Sequence, residues 1–129
     1  MEKYKLTLDG LTPDQYKYFK ENIYNGVGSR DFALDPHDLI FKKAAEYHDF
    51  AYWRGGTEQD RKEADKRFKR DCVDAAWNQK ARSFLFYISA AYIYYYAVKF
   101  LGKYSFIYRE EPLDNWKDLK EAFIKKTSK

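Results

Sequence analysis

Two adjacent glycines, Gly55 and Gly56, separate two stretches of the chain that both have helical periodicity. The stretch 36–53 carries one stripe of residues at spacings of three and four, namely Phe41, Ala44, Ala45, His48 and Tyr52. The stretch that follows, which Thr57 and Asp60 can cap, carries a second stripe of Asp65, Phe68, Cys72 and Ala76. Because glycine ends helices and permits tight turns, the sequence predicts an antiparallel helical hairpin.

Each stripe contains one ionisable residue at a position where the periodicity favours an apolar one. His48 comes seven residues before Gly55, and Asp65 comes eight residues after Thr57. With a rise of about 1.5 Å per residue, the two side chains lie at similar heights in the hairpin. The sequence therefore predicts that Asp65 faces His48. Such a pair can serve as a general base and its orienting acid, or as a satisfied core pair without turnover.

A second acid, Asp49, directly follows His48 and projects about 100° away from it around the helix. Residues 24–28 include Gly26 and Gly28, which allow the backbone to turn several carbonyl groups inward. Hard cations such as calcium prefer carboxylate and carbonyl oxygens. The loop and Asp49 together therefore indicate a site with the ligands that such a cation needs.

The other segments complete the predicted fold. Helical patterns are found from Thr12-Pro13 to about Ile23, from Arg82 to Leu101, and from Pro112 to about Lys126. Two segments are predicted to be non-helical: an alternating strand or arm, Tyr4 to Leu8, and a partly extended connector, Gly102 to Tyr108. With no linker or repeat, residues 1–129 are predicted to form a single all-α domain, a hairpin with additional N- and C-terminal helices.

The segment from Phe84 to Leu101 approaches the length of a membrane span. Five of its positions are tyrosine, a residue that favours a membrane interface over a bilayer centre. We therefore expect a core or interfacial helix here. Tyrosine enrichment of the whole chain, with 13 copies, suits a core or a wet apolar interface.

Cys72 is the only cysteine, which excludes an intrachain disulfide. The chain opens with charged residues rather than with an apolar export segment. These two features predict cytoplasmic synthesis without a signal peptide. Release by lysis, association with a virion and a dedicated secretion route all stay open.

The formal net charge of +4 favours anionic partners. These partners could be nucleic acid or anionic lipid, and the interleaving of basic and acidic residues, typical of solvated helix faces, does not choose between them. We expect no nucleic acid partner. The hairpin has a basic surface, which suits lipid headgroups or solvent, formed by Arg54, Arg61, Lys62, Lys66, Arg67, Lys69 and Arg70. The charge pattern does not predict the oligomeric state.

Three short motifs, in this order and spacing, resemble the phospholipases A2. The segment Tyr24-Asn25-Gly26-Val27-Gly28 is similar to the calcium loop of that family, and His48-Asp49-Phe50-Ala51-Tyr52 is similar to its active-site helix. Asp65 and Phe68 match the Asp-X-X-Phe motif of the small bacterial, fungal and parvoviral members. The resemblance covers residues 24–72, less than half of the chain.

The resemblance implies calcium-dependent hydrolysis of the sn-2 ester of phospholipids at an anionic membrane surface. His48 would be the general base for water, Asp65 would orient it, and Tyr52 would hydrogen-bond Asp65. The N–H group of Gly26 would help to bind the oxyanion. The calcium ligands would be the side chain of Asp49 and the backbone carbonyls of Tyr24, Gly26 and Gly28.

The chain also departs from the family pattern. The cysteines that flank the active site in secreted animal members are replaced by Ala44, Ala45 and Ala51, so the disulfide-poor members are closer. The hairpin is short, which makes Asp60 and Asp71 alternatives to Asp65. Asp60 is too near the turn and Asp71 is too far along its helix, so Asp65 is preferred.

Three further hypotheses concern single residues, and a fourth concerns the motif residues taken together. His37, with His48 and Asp49, could belong to a metal phosphohydrolase, but its spacing favours a surface residue. Trp53 is either a lipid-facing aromatic or ordinary hinge packing, and Cys72 is expected to be buried. The alternative to an enzyme is a catalytically silent, structural or membrane-binding relative, such as a phage or virion component.

Overall fold

The computed structural model describes residues 3–24, 38–77 and 81–127. The protein is all-α over these ranges, and its helices are α1 (Pro13–Asn22), α2 (Asp38–Arg54), α3 (Glu58–Trp77), α4 (Ala81–Ser105) and α5 (Trp116–Thr127). A short 3-10 turn, Leu8–Gly10, precedes α1. The prediction of an all-α fold is therefore confirmed for the described part of the chain.

The start of α1 follows directly from its sequence. The Thr12 hydroxyl accepts a hydrogen bond from the backbone N–H of Gln15, and the Gln15 side chain accepts one from the backbone N–H of Thr12. Pro13 occupies the first helical position, where its missing N–H costs nothing. These contacts confirm the predicted helix start.

The turn between α2 and α3 depends on its two glycines. Gly55 and Gly56 have φ angles of 72° and 136°, a region that other residues rarely adopt. A Cβ atom at Gly55 would lie 2.3 Å from the carbonyl oxygen of Ile107. The segment after α4 therefore packs directly on this turn, and the backbone N–H of Arg109 donates to the Gly56 carbonyl oxygen at 2.7 Å.

Helix α2 lies between two apolar cores. One core joins α2 to α3 and α4, and its buried members are Phe41, Ala44, Ala45, Phe68, Cys72, Ala90, Ala91 and Tyr94. The other joins α2 to the N-terminal segment, α1 and α5, and its buried members are Leu8, Phe19, Phe50, Trp53 and Leu119. Because α2 contributes to both, the orientation of its side chains is set from two sides.

Three predicted boundaries differ from the structure. Tyr4 to Leu8 is not a strand: the backbone N–H groups of Lys5 and Leu6 donate to the Asp114 carboxylate instead of to a neighbouring strand. Helix α4 continues through Gly102 to Ser105 rather than ending at Leu101. Helix α5 begins at Trp116 rather than at Pro112, and the Asn115 side chain caps it by accepting from the Asp118 N–H.

No helix in the part of the chain that the structure describes combines the length and the hydrophobicity needed to cross a membrane. The Trp53 side chain is 3% exposed, and its indole N–H donates to the carbonyl oxygen of Leu119 at 2.9 Å. Trp53 is thus part of the packing between α2 and α5 rather than a lipid-facing residue.

Candidate active site

The hairpin brings His48 of α2 and Asp65 of α3 together. The Nε2 atom of His48 lies 2.8 Å from Oδ1 of Asp65, although the two residues are 17 positions apart in the chain. Their side chains are only 7% and 5% exposed. The predicted pairing of these residues is therefore present as a buried hydrogen bond.

Tyr52, one turn after His48 on α2, also binds Asp65. Its hydroxyl group donates to Oδ1 of Asp65 at 2.6 Å. Burial raises the pKa of the Tyr52 hydroxyl well above its ordinary value, and the hydrogen bond to Asp65 raises it further. Near neutral pH, Tyr52 is therefore a neutral donor to Asp65.

A close approach by α4 makes this tyrosine contact possible. A Cβ atom at Gly102 would lie 2.1 Å from the hydroxyl oxygen of Tyr52. Since α4 passes over this hydroxyl group, only a residue without a side chain leaves it room to reach Asp65. The sequence pattern predicted Gly102 to be in a connector, so its place beside the site was not expected.

Arg61, which was expected on the basic surface of the hairpin, is buried instead and is a second contact that the motifs did not identify. Its Nη1 atom lies 3.5 Å from Oδ2 of Asp65, and the two side chains are one helical turn apart on α3. Both are almost completely buried, so the ion pair is poorly screened by water. The spacing of four between a basic and an acidic residue was the signal in the sequence that could have found it.

Aromatic rings fix the plane of the His48 imidazole. The ring centroids of Tyr52 and Phe68 lie 4.2 Å and 4.8 Å from that of His48. Because the Asp65 carboxylate only accepts hydrogen bonds, the proton of a neutral imidazole is placed on Nε2. The lone pair is then on Nδ1, which lies 4.0 Å from Oδ1 of Asp49.

The second acid of the motif, Asp49, is suited to a hard cation by its chemistry and its position. Because successive residues of a helix are about 100° apart, the Asp49 side chain projects between the two faces of α2, one of which lies in each core. Tyr24 packs against both of these cores. One carboxylate and one backbone carbonyl of the expected ligand set are thus in the described residues, and they fit calcium.

The rest of the expected cation site lies outside those residues. Gly26, Gly28 and His37 belong to the segment 25–37, which the structure does not describe. Within the described ranges no three His, Cys, Asp or Glu side chains are grouped as metal ligands. The calcium-loop motif implies that backbone carbonyl groups would supply the other ligands of a site at Asp49.

The alternative acids are occupied elsewhere. Asp60 caps α3 by accepting from the Thr57 N–H at 2.8 Å, and it pairs with Lys3 on the surface. Asp71 pairs with Arg67 and Arg70 at 3.3 Å. Of the three candidate acids, Asp65 is the one that contacts His48.

Cys72 lies one turn beyond Phe68 on the same face of α3 and is fully buried. Burial raises the pKa of its thiol far above the ordinary value. A thiol in this setting is a packing group rather than a nucleophile, as the sequence predicted.

Comparison of this chain with family models, with curated proteins and with solved structures gives no match.

Proposed function

We propose that this protein is a calcium-dependent phospholipase A2-type hydrolase that cleaves the sn-2 ester of glycerophospholipids. The observation that carries the proposal is the buried network in which Asp65 binds Nε2 of His48 while Nδ1 lies beside Asp49. A histidine that is held by a buried carboxylate on one nitrogen can take a proton from water on the other, which is the arrangement of a general base.

In the proposed reaction, Nδ1 of His48 takes a proton from water while the water oxygen attacks the carbonyl carbon of the ester. Asp65 stabilises the imidazolium that forms, and Tyr52 and Arg61 hold the Asp65 carboxylate in place. The bond to the glycerol oxygen then breaks, and Nδ1 returns its proton to that oxygen. The products are a fatty acid and a lysophospholipid.

Asp49 and the backbone carbonyls of Tyr24, Gly26 and Gly28 would hold the calcium ion. When bound, calcium supplies positive charge that polarises the ester carbonyl and binds the phosphate of the substrate. The Gly26 N–H would donate a hydrogen bond to the oxygen that becomes negative. Asp49 also lies close enough to Nδ1 for the base and the cation to act on one substrate.

Fatty-acid release from anionic vesicles tests the proposal. We expect release with calcium, none with EGTA, and a loss of roughly 10²- to 10⁴-fold for His48→Gln, since this removes the general base. Asp71→Asn is the matched control, because it changes an acid on α3 that does not contact His48. Equal release in the presence of calcium, with EGTA and by His48→Gln would contradict the proposal.

The same experiment separates the enzyme from its catalytically silent alternative. A silent module would bind calcium and vesicles but release no fatty acid under any condition. Calcium binding is measured by titration calorimetry, with Asp49→Asn as the variant that should lose it.

A further inference from the structure

Helix α4 has apolar residues on two sides, and one of these sides is exposed. Ala90, Ala91 and Tyr94 face the core with α2 and α3. The exposed side is the α4 aromatic face, whose members are 40% to 78% exposed: Tyr92, Ile93, Tyr96, Phe100 and Tyr104. An apolar side of this extent on a soluble helix marks an interaction surface.

The charged residues of α4 all have a single sign. Helix α4 contains no aspartate or glutamate, whereas Lys99 and Lys103 lie beside the exposed rings. The Nζ atom of Lys69, from α3, lies 5.1 Å from the ring centroid of Tyr92. The Nζ atom of Lys103 lies 5.1 Å from that of Tyr104. The face therefore joins tyrosine rings to ammonium groups, a combination that suits an apolar surface with an anionic border.

We propose that the α4 aromatic face is the surface by which this protein docks on an anionic phospholipid bilayer. Tyrosine favours the headgroup level, where its ring is apolar and its hydroxyl is wet, and lysine adds attraction to anionic headgroups. In this mode of binding, α4 would lie along the bilayer surface with its aromatic face at the headgroup level. This inference rests on the proposed function, because a phospholipase must bind the surface that contains its substrate.

A second copy of the chain fits this face less well. A two-fold dimer places the same patch of both copies together. Lys99 and Lys103 of both copies would then be brought into one interface, and α4 offers no acidic residue to pair them. An anionic bilayer supplies the complementary charge directly.

Vesicle sedimentation tests the docking without catalysis. The protein carries His48→Gln, and EGTA is present, so that neither turnover nor calcium contributes. We expect binding to vesicles that contain phosphatidylglycerol and weaker binding to phosphatidylcholine alone. Combined Ile93→Ser and Phe100→Ser substitutions should weaken binding on the order of tenfold, because exposed apolar area is lost from the interface.

The chain offers matched controls for both parts of the surface. Ile124 of α5 is 52% exposed and Ile93 is 53% exposed, so Ile124→Ser removes the same group elsewhere and should leave binding unchanged. Charge reversal at Lys99 and Lys103 should weaken binding to anionic vesicles. The same reversal at Lys62 and Lys117, on α3 and α5, should weaken it much less.

Three results would contradict docking through α4. The first is no binding of the His48→Gln protein to anionic vesicles. The second is equal binding by the α4 variants and their controls. The third is a dimer in light scattering that the α4 substitutions dissociate while vesicle binding is absent, which would assign the face to self-association.

Hydrolysis of a dispersed short-chain phospholipid separates this inference from the proposed function. With His48 intact, the α4 variants should hydrolyse the dispersed lipid like the wild type and lose activity only on vesicles. If no form hydrolyses either lipid but the binding pattern holds, docking through α4 stands and the proposed enzyme activity is wrong.

Discussion

At the scale of single residues, Asp65 is the point where the candidate site is held together. It accepts hydrogen bonds from His48 and Tyr52 and forms an ion pair with Arg61. A buried carboxylate is costly unless such partners surround it. The three contacts therefore stabilise the fold and orient the imidazole at the same time.

Replacing Asp65 by asparagine should separate these two effects. Asparagine keeps the size of the side chain but cannot stabilise an imidazolium ion, so we expect kcat to fall roughly 10²- to 10⁴-fold. Circular dichroism should show a folded protein. Tyr52→Phe, which removes one hydrogen bond and leaves the carboxylate, should lower kcat much less. Full activity of Asp65→Asn would show that Asp65 is a structural group only.

At the scale of helices, the contact between α4 and α2 depends on the missing side chain at Gly102. Gly102→Ala would place a methyl group in the position of the Tyr52 hydroxyl oxygen. We expect this to cost about 1–3 kcal/mol in the free energy of unfolding, as overpacking of a core does, and to lower kcat by moving Tyr52 from Asp65. Urea unfolding and steady-state kinetics measure the two effects.

Gly10→Ala is the control for that substitution. The nearest atom to a Cβ at Gly10 is the hydroxyl oxygen of Thr7 at 3.3 Å, which is a tight contact that a small shift relieves. This variant should keep its activity and most of its stability. If Gly102→Ala were equally mild, the close approach of α4 to Tyr52 would not matter for the site.

The helices of the hairpin could be predicted because local signals and periodicity agree there. Gly55 and Gly56, the Thr57 cap and the two stripes all favour the same turn. The similar heights of His48 and Asp65 in the hairpin then follow from the rise per residue of a helix. The extension of α4 could not be predicted, since glycine is a poor helix former and the close approach of Gly102 to Tyr52 is not visible in the sequence. Likewise, the Tyr4–Leu8 segment has strand-like alternation, yet its backbone binds the distant Asp114.

The candidate site shows the same division. The His48–Asp65 pair depends on spacing along two helices, which a sequence contains. The place of Gly102 beside Tyr52 depends on how α4 crosses α2, which no local pattern specifies. Arg61 lies between these cases, because its spacing of four from Asp65 was visible but its burial was not.

At the scale of the whole molecule, a buried charge connects α1 to α2. Glu46 is 1% exposed and accepts hydrogen bonds from the Tyr16 hydroxyl at 2.7 Å and from Lys20 at 2.9 Å. Burial acts to raise the pKa of Glu46, but these bonds outweigh it, and its pKa lies below the ordinary value of 4.5. The ionised form of Glu46 therefore stabilises the folded protein.

The sign of the pH dependence follows from that lowered pKa. The contribution of Glu46 is complete above the ordinary pKa of glutamate and is lost as the pH falls through the folded-state pKa. Near neutral pH, Glu46→Gln should lower the free energy of unfolding by about 1–3 kcal/mol, the value of a hydrogen bond to a charged group. In acid, the difference between variant and wild type should shrink.

Urea unfolding at neutral and at acidic pH measures this effect. Glu21→Gln is the control, because Glu21 forms only an exposed pair with Lys17 at 4.0 Å and should change stability little at either pH. A gap between wild type and Glu46→Gln that stayed constant in acid would mean that the carboxylate charge of Glu46 contributes nothing.

The burial of Cys72 gives the protein an internal reporter. Its thiol is enclosed by the core of α2, α3 and α4 and is the only one in the chain. An alkylating reagent can reach it only when that core opens, so the labelling rate measures the population of opened molecules. A cation that binds the closed hairpin would slow the labelling in proportion to its affinity. Calcium binding could then be followed without lipid or turnover, by counting the molecules whose single thiol stays unmodified.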